Sequence, residues 1–169
     1  MKLVLVGYMG CGKSAISKAL SNRLEVSRID LDDYIEMKEG KLISQIFSDQ
    51  GEIYFRKREM EYLNEILTKK EDFILSLGGG TPCFGNNMNL VNANATSVYL
   101  NANIPTLVER LLPEKSKRPL IARIEDADLP EFIGKHLFER NQFYLQAQLS
   151  VAVNAKSVDE IVSEILSKI

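Results

Sequence analysis

The sequence has few of the residues and patterns that would set it apart from ordinary globular proteins. Two of its 169 residues are cysteine and one is histidine, and their spacing suggests neither a disulfide framework nor a zinc site. No apolar run is long enough for a membrane span or a secretory segment. The net charge of −2 provides no basic field for nucleic acid or anionic lipid. We therefore expect a single cytoplasmic domain, residues 1–169, without nucleic-acid or membrane partners.

Short apolar runs alternate with helical patterns along the chain. The run KLVLV at 2–6 is continuous, as in a strand that is buried on both faces of a parallel sheet. Further strand candidates are VSRI (26–29), FILSL (73–77), SVYL (97–100) and SVAV (150–153). Apolar residues recur with helical spacing between these runs and again over 158–169.

The alternation of strand and helix predicts the fold class. We expect an α/β fold of three layers, with a parallel sheet of about five strands flanked by helices and ligands bound beyond the carboxyl ends of the strands. The charged stretch 113–130 is bounded by prolines and has weak periodicity. We interpret its first part, about 113–128, as a mobile lid.

The stretch GYMGCGKS, residues 7–14, lies between the first strand and a helical pattern. It satisfies G-x-x-x-x-G-K-[ST], and the strand-to-helix context is the one that a phosphate-binding loop requires. Glycines let backbone N–H groups point at a phosphate, and the helix N-terminus adds its positive dipole. Lys13 is then expected to reach the β- and γ-phosphates, and Ser14 to bind Mg²⁺ through its hydroxyl. Cys11 is interpreted as a tolerated small residue.

Two carboxylates follow the second strand in IDLDDYIE (29–36). If the segment stays extended, Asp30 and Asp32 project to the same side at the catalytic edge. One of them could support the Mg²⁺ water shell, and the other could accept a hydrogen bond from a substrate hydroxyl. The alternative is an acidic helix N-terminus in which Asp32 or Asp33 complements the dipole, and this reading is favoured for Asp33.

Basic residues and a glycine run supply further candidates. In GEIYFRKRE (51–59), Arg56 precedes Glu59 by three residues, a spacing at which the carboxylate could hold the guanidinium, although a solvated basic face is the alternative. The glycines of LSLGGGTP (75–82) either present N–H groups to a substrate or form a flexible connection.

The second half of the chain adds two arginines. Arg118, in the predicted lid, could neutralise phosphoryl charge over a bound nucleotide. Arg140 shares a helix face with Tyr144, four residues further on. Either arginine could instead be a surface residue, and the lone histidine, His136, is interpreted as structural.

These motifs occur together in an order that resembles one family. GYMGCGKS, IDLDDYIE, GEIYFRKRE, LSLGGGTP, KRPL and ERNQFY follow one another as in shikimate kinases, and the resemblance covers essentially the whole chain. It implies transfer of the γ-phosphoryl of ATP to the 3-hydroxyl of shikimate, with Mg²⁺, by a protein that we expect to be monomeric.

The resemblance also implies a role for individual residues. Asp32 is similar to the aspartate that orients the attacking hydroxyl, and Asp30 to the residue that supports Mg²⁺ through water. Lys13 and Arg118 are implied to act on the transferring phosphoryl group. The residues implied to bind ATP are Gly10, Cys11, Gly12, Lys13, Ser14, Ala15, Arg110, Arg118 and Asn154. The residues implied to bind the acceptor lie in about 30–62 and beyond, namely Asp32, Arg56, Gly78, Gly79, Gly80 and Arg140.

The sequence departs from the family in two places and leaves two alternatives open. Many members have a basic residue before the arginine that corresponds to Arg140, whereas here it is Glu139, and the lid segment 122–128 is acidic. One alternative is a related kinase of gluconate or of a nucleoside monophosphate. The other is a non-catalytic nucleotide-binding homologue, although no N-K-x-D guanine-reading tetrapeptide is present.

Overall fold

The computed structural model describes residues Met1 to Ile169 as five strands and seven α-helices, with three 3-10 segments in the connections. The strands are β1 (Lys2–Val6), β2 (Ser27–Asp30), β3 (Phe73–Ser76), β4 (Thr96–Asn101) and β5 (Leu149–Ala152). The helices are α1 (Lys13–Leu24), α2 (Leu31–Glu39), α3 (Ile43–Leu67), α4 (Asn87–Asn94), α5 (Ile104–Leu111), α6 (Leu129–Tyr144) and α7 (Val158–Ser167). None of the helices combines the length and the apolar character needed to cross a membrane.

The five strands form one parallel sheet in the order β2-β3-β1-β4-β5. The strand β1 is central, and Leu3 to Val6 are fully buried because helices cover both faces of the sheet. The predicted α/β fold with about five parallel strands is therefore confirmed. The carboxyl end of β1 leads directly into the loop at 7–14, which places this loop at the middle of one sheet edge.

The predicted strands agree closely with the observed ones. The strand β1 coincides with the predicted run, and the other four differ from their predicted bounds by at most one residue at each end. The central strand β1 carries the strongest sequence signal because all its residues after Lys2 are apolar and buried, whereas β2 reads Ser-Arg-Ile-Asp and is partly exposed.

The start of α2 differs from the prediction made for the carboxylates of Asp30 and Asp32. The extended backbone ends at Asp30, which caps the helix because its side chain accepts a hydrogen bond from the backbone N–H of Asp32 at 3.0 Å. The expectation that Asp30 and Asp32 lie in one extended segment is therefore wrong. Asp32 and Asp33 belong to the first helical turn, where their charge complements the helix dipole.

The long helix α3 is interrupted at Gly51. This residue has φ 83° and ψ 173°, a conformation that strongly favours glycine, and it separates residues 43–50 from 52–67. Arg56 lies in the second part, which turns its side chain towards the end of β3.

Candidate active site

The loop at 7–14 curls around the N-terminus of α1. Gly12 is the N-cap of this helix and has φ 103°, in the left-handed region. Lys13 lies directly after it, and its ammonium donates hydrogen bonds to the carbonyl oxygens of Gly7 at 2.7 Å and Tyr8 at 3.1 Å. The loop therefore has the backbone form that sequence reasoning predicts for a phosphate-binding loop.

A cavity of about 820 Å³ opens above this loop at the carboxyl edge of the sheet. It brings together residues from the loop, the start of α2, the glycine run after β3, the end of α5 and the predicted lid. Its lining consists of Met9, Gly10, Gly12, Lys13, Ser14, Ala15, Asp30, Asp32, Leu77, Gly78, Gly79, Arg110, Glu114, Lys117, Arg118, Pro119 and Leu120.

The two aspartates that line the cavity, Asp30 and Asp32, are held in an environment that disfavours their charge. Burial, followed by the negative charges of Asp30 and Glu59, raises the pKa of Asp32 to about 6, although Lys13 opposes the shift. Burial, followed by the charge of Asp33, also raises the pKa of Asp30. An aspartate with a pKa near neutrality is suited to accept a proton from a hydroxyl.

The glycine run Gly78–Gly80 is in close contact with three charged side chains. A methyl group placed on Gly78 would lie 3.0 Å from Oδ1 of Asp32, and one on Gly79 would lie 3.2 Å from a guanidinium nitrogen of Arg140. A methyl group on Gly80 would lie 2.8 Å from a guanidinium nitrogen of Arg56, so this approach requires the absence of a side chain. Asp32, Arg56 and Arg140 therefore surround one short backbone segment.

Arg56 is fixed by a buried network on α3. Glu59 is 1% exposed, and its carboxylate accepts hydrogen bonds from Arg56 at 2.8 Å and from the Thr81 hydroxyl at 2.6 Å. The ring of Phe84 stacks on the guanidinium of Arg56, with 3.8 Å between the ring centre and Cζ. The spacing of Arg56 and Glu59 indicated this pair, so the interpretation as a purely solvated face is wrong for Arg56.

Arg58, two residues further along α3, has structural partners instead. Its guanidinium pairs with Glu39 at 2.8 Å and with Glu61 at 2.5 Å, and it also contacts the Tyr62 hydroxyl. These contacts connect the end of α2 to α3.

Arg140 enters the site from α6 together with Tyr144. The Tyr144 hydroxyl is buried and donates a hydrogen bond to the carbonyl oxygen of Gly79 at 2.7 Å. The two side chains share a helix face, as their spacing predicted. Arg140, Arg56 and Gly80 lie beside the large cavity rather than in its lining.

The predicted nucleotide contacts are divided between the cavity and its surroundings. Arg110 lines the cavity and donates hydrogen bonds to the carbonyl oxygens of Cys11 at 3.0 Å and Gly10 at 3.4 Å, which braces the loop. The side chain of Cys11 is buried behind the loop. Asn154 lies outside the lining, where its Oδ1 accepts the backbone N–H of Asn103 at 2.8 Å.

The segment predicted as a lid crosses the cavity between α5 and α6. Arg118 lines the cavity and lies 3.3 Å from Glu114, while its Nε is buried without a hydrogen-bond partner. Lys115 closes the segment on itself because its ammonium donates to the carbonyl oxygen of Ile124 at 2.6 Å and pairs with Asp126. Ile121 is fully buried and anchors the segment.

Sequence reasoning missed three contributors to this site. Phe84 and Thr81 follow the glycine run, but nothing in their spacing reveals that they contact Arg56 and Glu59. Lys117 appeared only as the neighbour of Arg118, although both line the cavity. The network around Arg56 depends on tertiary contacts between α3 and the segment after β3.

A phosphate-binding loop at the centre of a parallel sheet, with carboxylates and arginines across the same cleft, defines a P-loop kinase of small molecules. A sequence model of the shikimate kinase family matches residues 9–169. The chain therefore belongs to the shikimate kinase family.

Individual relatives agree with this assignment. A shikimate kinase of Flavobacterium johnsoniae is 49% identical over 166 residues, which cover 98% of this chain and 96% of the relative. The crystal structure of a shikimate kinase from Bacteroides thetaiotaomicron superimposes with a TM-score of 0.92 at 35% identity, covering 99% of this chain and 97% of that one. A shikimate kinase from Acinetobacter baumannii in complex with shikimate gives a TM-score of 0.87 at 28% identity, covering 99% and 91%.

Proposed function

We propose that the chain transfers the γ-phosphoryl of ATP to the 3-hydroxyl of shikimate, giving shikimate 3-phosphate and ADP on the route to chorismate and the aromatic amino acids. As a member of the shikimate kinase family it is an ATP-dependent phosphotransferase with an alcohol group as acceptor. The observation that carries the residue assignments is the convergence of Asp32, Arg56 and Arg140 on Gly78–Gly80 beside the phosphate-binding loop.

The acceptor is a carboxylated alcohol, and the site offers a complement for each of its groups. Arg56 and Arg140 provide two guanidinium forks for the ring carboxylate, and Glu59 and Phe84 hold the first of them in place. Asp32 accepts the hydrogen of the attacking hydroxyl and orients its oxygen. The raised pKa of Asp32 makes this carboxylate a better base than an ordinary aspartate.

The loop at 7–14 and the lid serve the nucleotide. Lys13 from the loop and Arg118 from the lid segment both line the cavity, where their charges stabilise the negative charge of the transferring phosphoryl group. Gly10, Gly12, Ser14 and Ala15 supply the backbone of the phosphate cradle.

The donor set of the cavity fits Mg²⁺. The Ser14 hydroxyl and the Asp30 carboxylate both line it, and both are hard oxygen ligands of the kind that Mg²⁺ prefers. The pKa of Asp30 is raised by burial, so a nearby cation would relieve the unfavourable environment of its charge. When bound, Mg²⁺ neutralises charge on the β- and γ-phosphates; Ser14 would bind it directly and Asp30 through water.

We further propose that the protein acts as a monomer in the cytoplasm. The loop at 7–14, Asp32, Arg118 and the glycines after β3 line one cavity, and Arg56 and Arg140 lie beside it. Both cysteines, Cys11 and Cys83, are free thiols, which suits a reducing compartment.

An assay of ADP release with a panel of hydroxylated acceptors tests the proposal. Shikimate with MgATP should give one ADP per shikimate consumed, whereas gluconate and nucleoside monophosphates should give only the background rate. Lys13→Ala should lose transfer. Preferential turnover of gluconate or of a nucleotide would overturn the choice of acceptor, and ATP binding without transfer in a single turnover would favour the non-catalytic alternative.

A further inference from the structure

His136, the only histidine of the chain, is in contact with the phosphate-binding loop. The side chain of Tyr8, the second residue of that loop, is 1% exposed, and its hydroxyl lies 2.8 Å from Nδ1 of His136 on α6. The two rings meet edge-on, with 5.3 Å between their centres and 86° between their planes. The contact joins residues that are 128 positions apart in the sequence.

The same two residues connect both halves of the site. The backbone carbonyl of Tyr8 accepts a hydrogen bond from the Lys13 ammonium at 3.1 Å. The guanidinium carbon of Arg140 lies 6.0 Å from the centre of the Tyr8 ring, one helical turn beyond His136 on the same face of α6. Tyr8 is therefore in contact with the phosphate side through its backbone and faces the acceptor side through its ring.

A buried phenol needs a hydrogen-bond partner, and His136 is the one present. Burial raises the pKa of Tyr8 to about 12, so the hydroxyl stays protonated and can donate. Burial and then the positive charge of Arg140 lower the pKa of His136, opposed by Glu139. At neutral pH the imidazole is therefore neutral, and with its proton on Nε2 it accepts the Tyr8 hydrogen at Nδ1. Phe132, the other ring against His136, is apolar.

We propose that His136 is a positioning residue for phosphoryl transfer, which fixes Tyr8 and the phosphate-binding loop to the face of α6 that presents Arg140. The inference rests on the proposed function, since it assigns His136 the role of holding the phosphate-binding loop and Arg140 in a fixed relative position. In this role His136 contacts neither reactant and acts through Tyr8.

The geometry makes His136 sensitive to the acceptor. A carboxylate bound by Arg140 cancels the charge that disfavours the imidazolium, so acceptor binding should raise the pKa of His136. By reciprocity, protonation of His136 should strengthen acceptor binding by the same factor. Glu139 is the other charged group that acts on the ring, and its contribution is present in both states.

Steady-state kinetics of four variants test the positioning role. Tyr8→Phe and His136→Phe remove the hydrogen bond from opposite sides, and each should lower kcat about five- to tenfold because the loop is less well placed. The double variant should be no slower than the slower single variant, since both remove one interaction. His136→Gln can still accept the Tyr8 hydrogen through its amide and should recover most of the rate.

Two controls separate positioning from general damage. Lys135→Gln changes the adjacent, exposed residue of α6 and should leave the kinetics unchanged. Tyr8→Phe removes one oxygen and keeps the ring, so it remains informative if His136→Phe fails to fold. Normal kcat in Tyr8→Phe, or multiplicative losses in the double variant, would overturn the inference. Normal turnover by the wild type in the same assays would show that the proposed function is unaffected.

A spectroscopic readout is available because the chain has a single histidine. The C2 proton of His136 should give one titrating NMR signal, and saturating shikimate should shift its midpoint to higher pH. Arg140→Ala should raise the midpoint of the free protein and abolish the response to shikimate. A midpoint that does not change when shikimate binds to the wild type would contradict the link between His136 and the acceptor site.

Discussion

The ionised Asp32 carboxylate, which we propose as the catalytic base, lowers the stability of the fold. Burial and nearby carboxylates raise its pKa to about 6 from an ordinary value of 3.8, so folding favours the protonated form. The fold therefore loses stability as the pH rises from about 4 to about 6, and the full cost remains above that range. From the size of the shift, this cost amounts to about 3 kcal/mol at pH 8.

The substitution Asp32→Asn should separate the two effects. We expect kcat to fall at least about a hundredfold, because an amide cannot take the hydroxyl proton. The free energy of unfolding at pH 8 should rise by up to about 3 kcal/mol, because the unfavourable charge is gone. Urea denaturation at pH 8 and pH 4 measures the second effect, which should disappear at the lower pH.

Asp33→Asn is the matched control for this substitution. Asp33 is exposed in the same helical turn, and its replacement should leave kcat close to that of the wild type and stability within about 0.5 kcal/mol. An Asp32→Asn protein with normal turnover would remove Asp32 from the mechanism.

The pH dependence of kcat/KM provides a second test at this residue. Because we propose the ionised form of Asp32 as the active one, kcat/KM should be constant above neutrality and should fall about tenfold per pH unit well below pH 6. His136 also titrates below its ordinary range, so the profile should be repeated in His136→Gln. If the decrease in kcat/KM at low pH is absent from His136→Gln, the decrease is caused by titration of His136 rather than of Asp32.

Sequence reasoning recovered much of the site at the level of residues. The loop at 7–14 is local, and its spacing alone predicted a glycine-rich turn between β1 and α1, while the contact of Lys13 with phosphates stays a prediction. The pair Arg56–Glu59 was also accessible because three residues on a helix bring side chains together. Phe84 and His136 were not, because their partners Arg56 and Tyr8 are brought close only by the fold.

At the level of elements, the segment between α5 and α6 has an internal structure of its own. Lys115 binds Ile124 and Asp126, and this contact closes the ends of a loop that presents Lys117 and Arg118 to the cavity. Ile121 provides a buried anchor in the middle. We therefore expect the segment to close over a nucleotide as a preformed unit.

Lys115→Met should therefore impair nucleotide use selectively. We expect KM for ATP to rise several-fold, because the loop must be ordered each time it closes, while KM for shikimate changes little. Steady-state kinetics with each substrate varied in turn measure this difference. Lys135→Met makes the same change at an exposed lysine that pairs with Glu131 on α6, outside the lid, and serves as the control. Equal effects of both variants would argue against a lid role for 113–128.

The boundaries of elements show what limits a prediction from sequence. The strands were placed to within one residue because four of them contain a short apolar run and β2 lies between two helical patterns. The start of α2 was misjudged because alternating aspartates fit an extended segment as well as a capped helix, and only the hydrogen bond from Asp32 to Asp30 decides between them. The break in α3 at Gly51 requires a backbone conformation that apolar periodicity does not reveal.

At the level of the whole molecule, nucleotide and acceptor residues meet at one edge of a single sheet. Ligands that bind only the folded state should therefore stabilise the whole chain. At a hundred times its dissociation constant, each should add about 2.7 kcal/mol to the free energy of unfolding. The midpoint of thermal unfolding should rise with ADP or with shikimate and should rise further with both, whereas gluconate should leave the midpoint unchanged. A gluconate shift as large as that of shikimate would count against the assigned acceptor.

The order of the strands in the sheet could not be predicted from the sequence. Composition and alternation predict a parallel sheet, but the order β2-β3-β1-β4-β5 depends on which strands pair across long separations. The pairing of β1 with both β3 and β4 brings the loop at 7–14 beside the glycines after β3 and the start of the segment that follows β4. The site exists because of this arrangement.

The central position of β1 has a consequence for how such an enzyme can diversify. Of the residues that we propose for the acceptor, Asp32 and Arg56 lie between β2 and β3, whereas Arg140 lies on α6, which follows β4 as Arg110 and Arg118 do. Exchange of residues 31–67 for the equivalent unit of another small-molecule kinase would replace Asp32 and Arg56 and leave the loop at 7–14 and the segment after α5 in place. We therefore expect a new acceptor preference to require this exchange together with substitution of Arg140, without change to the residues that we propose for ATP.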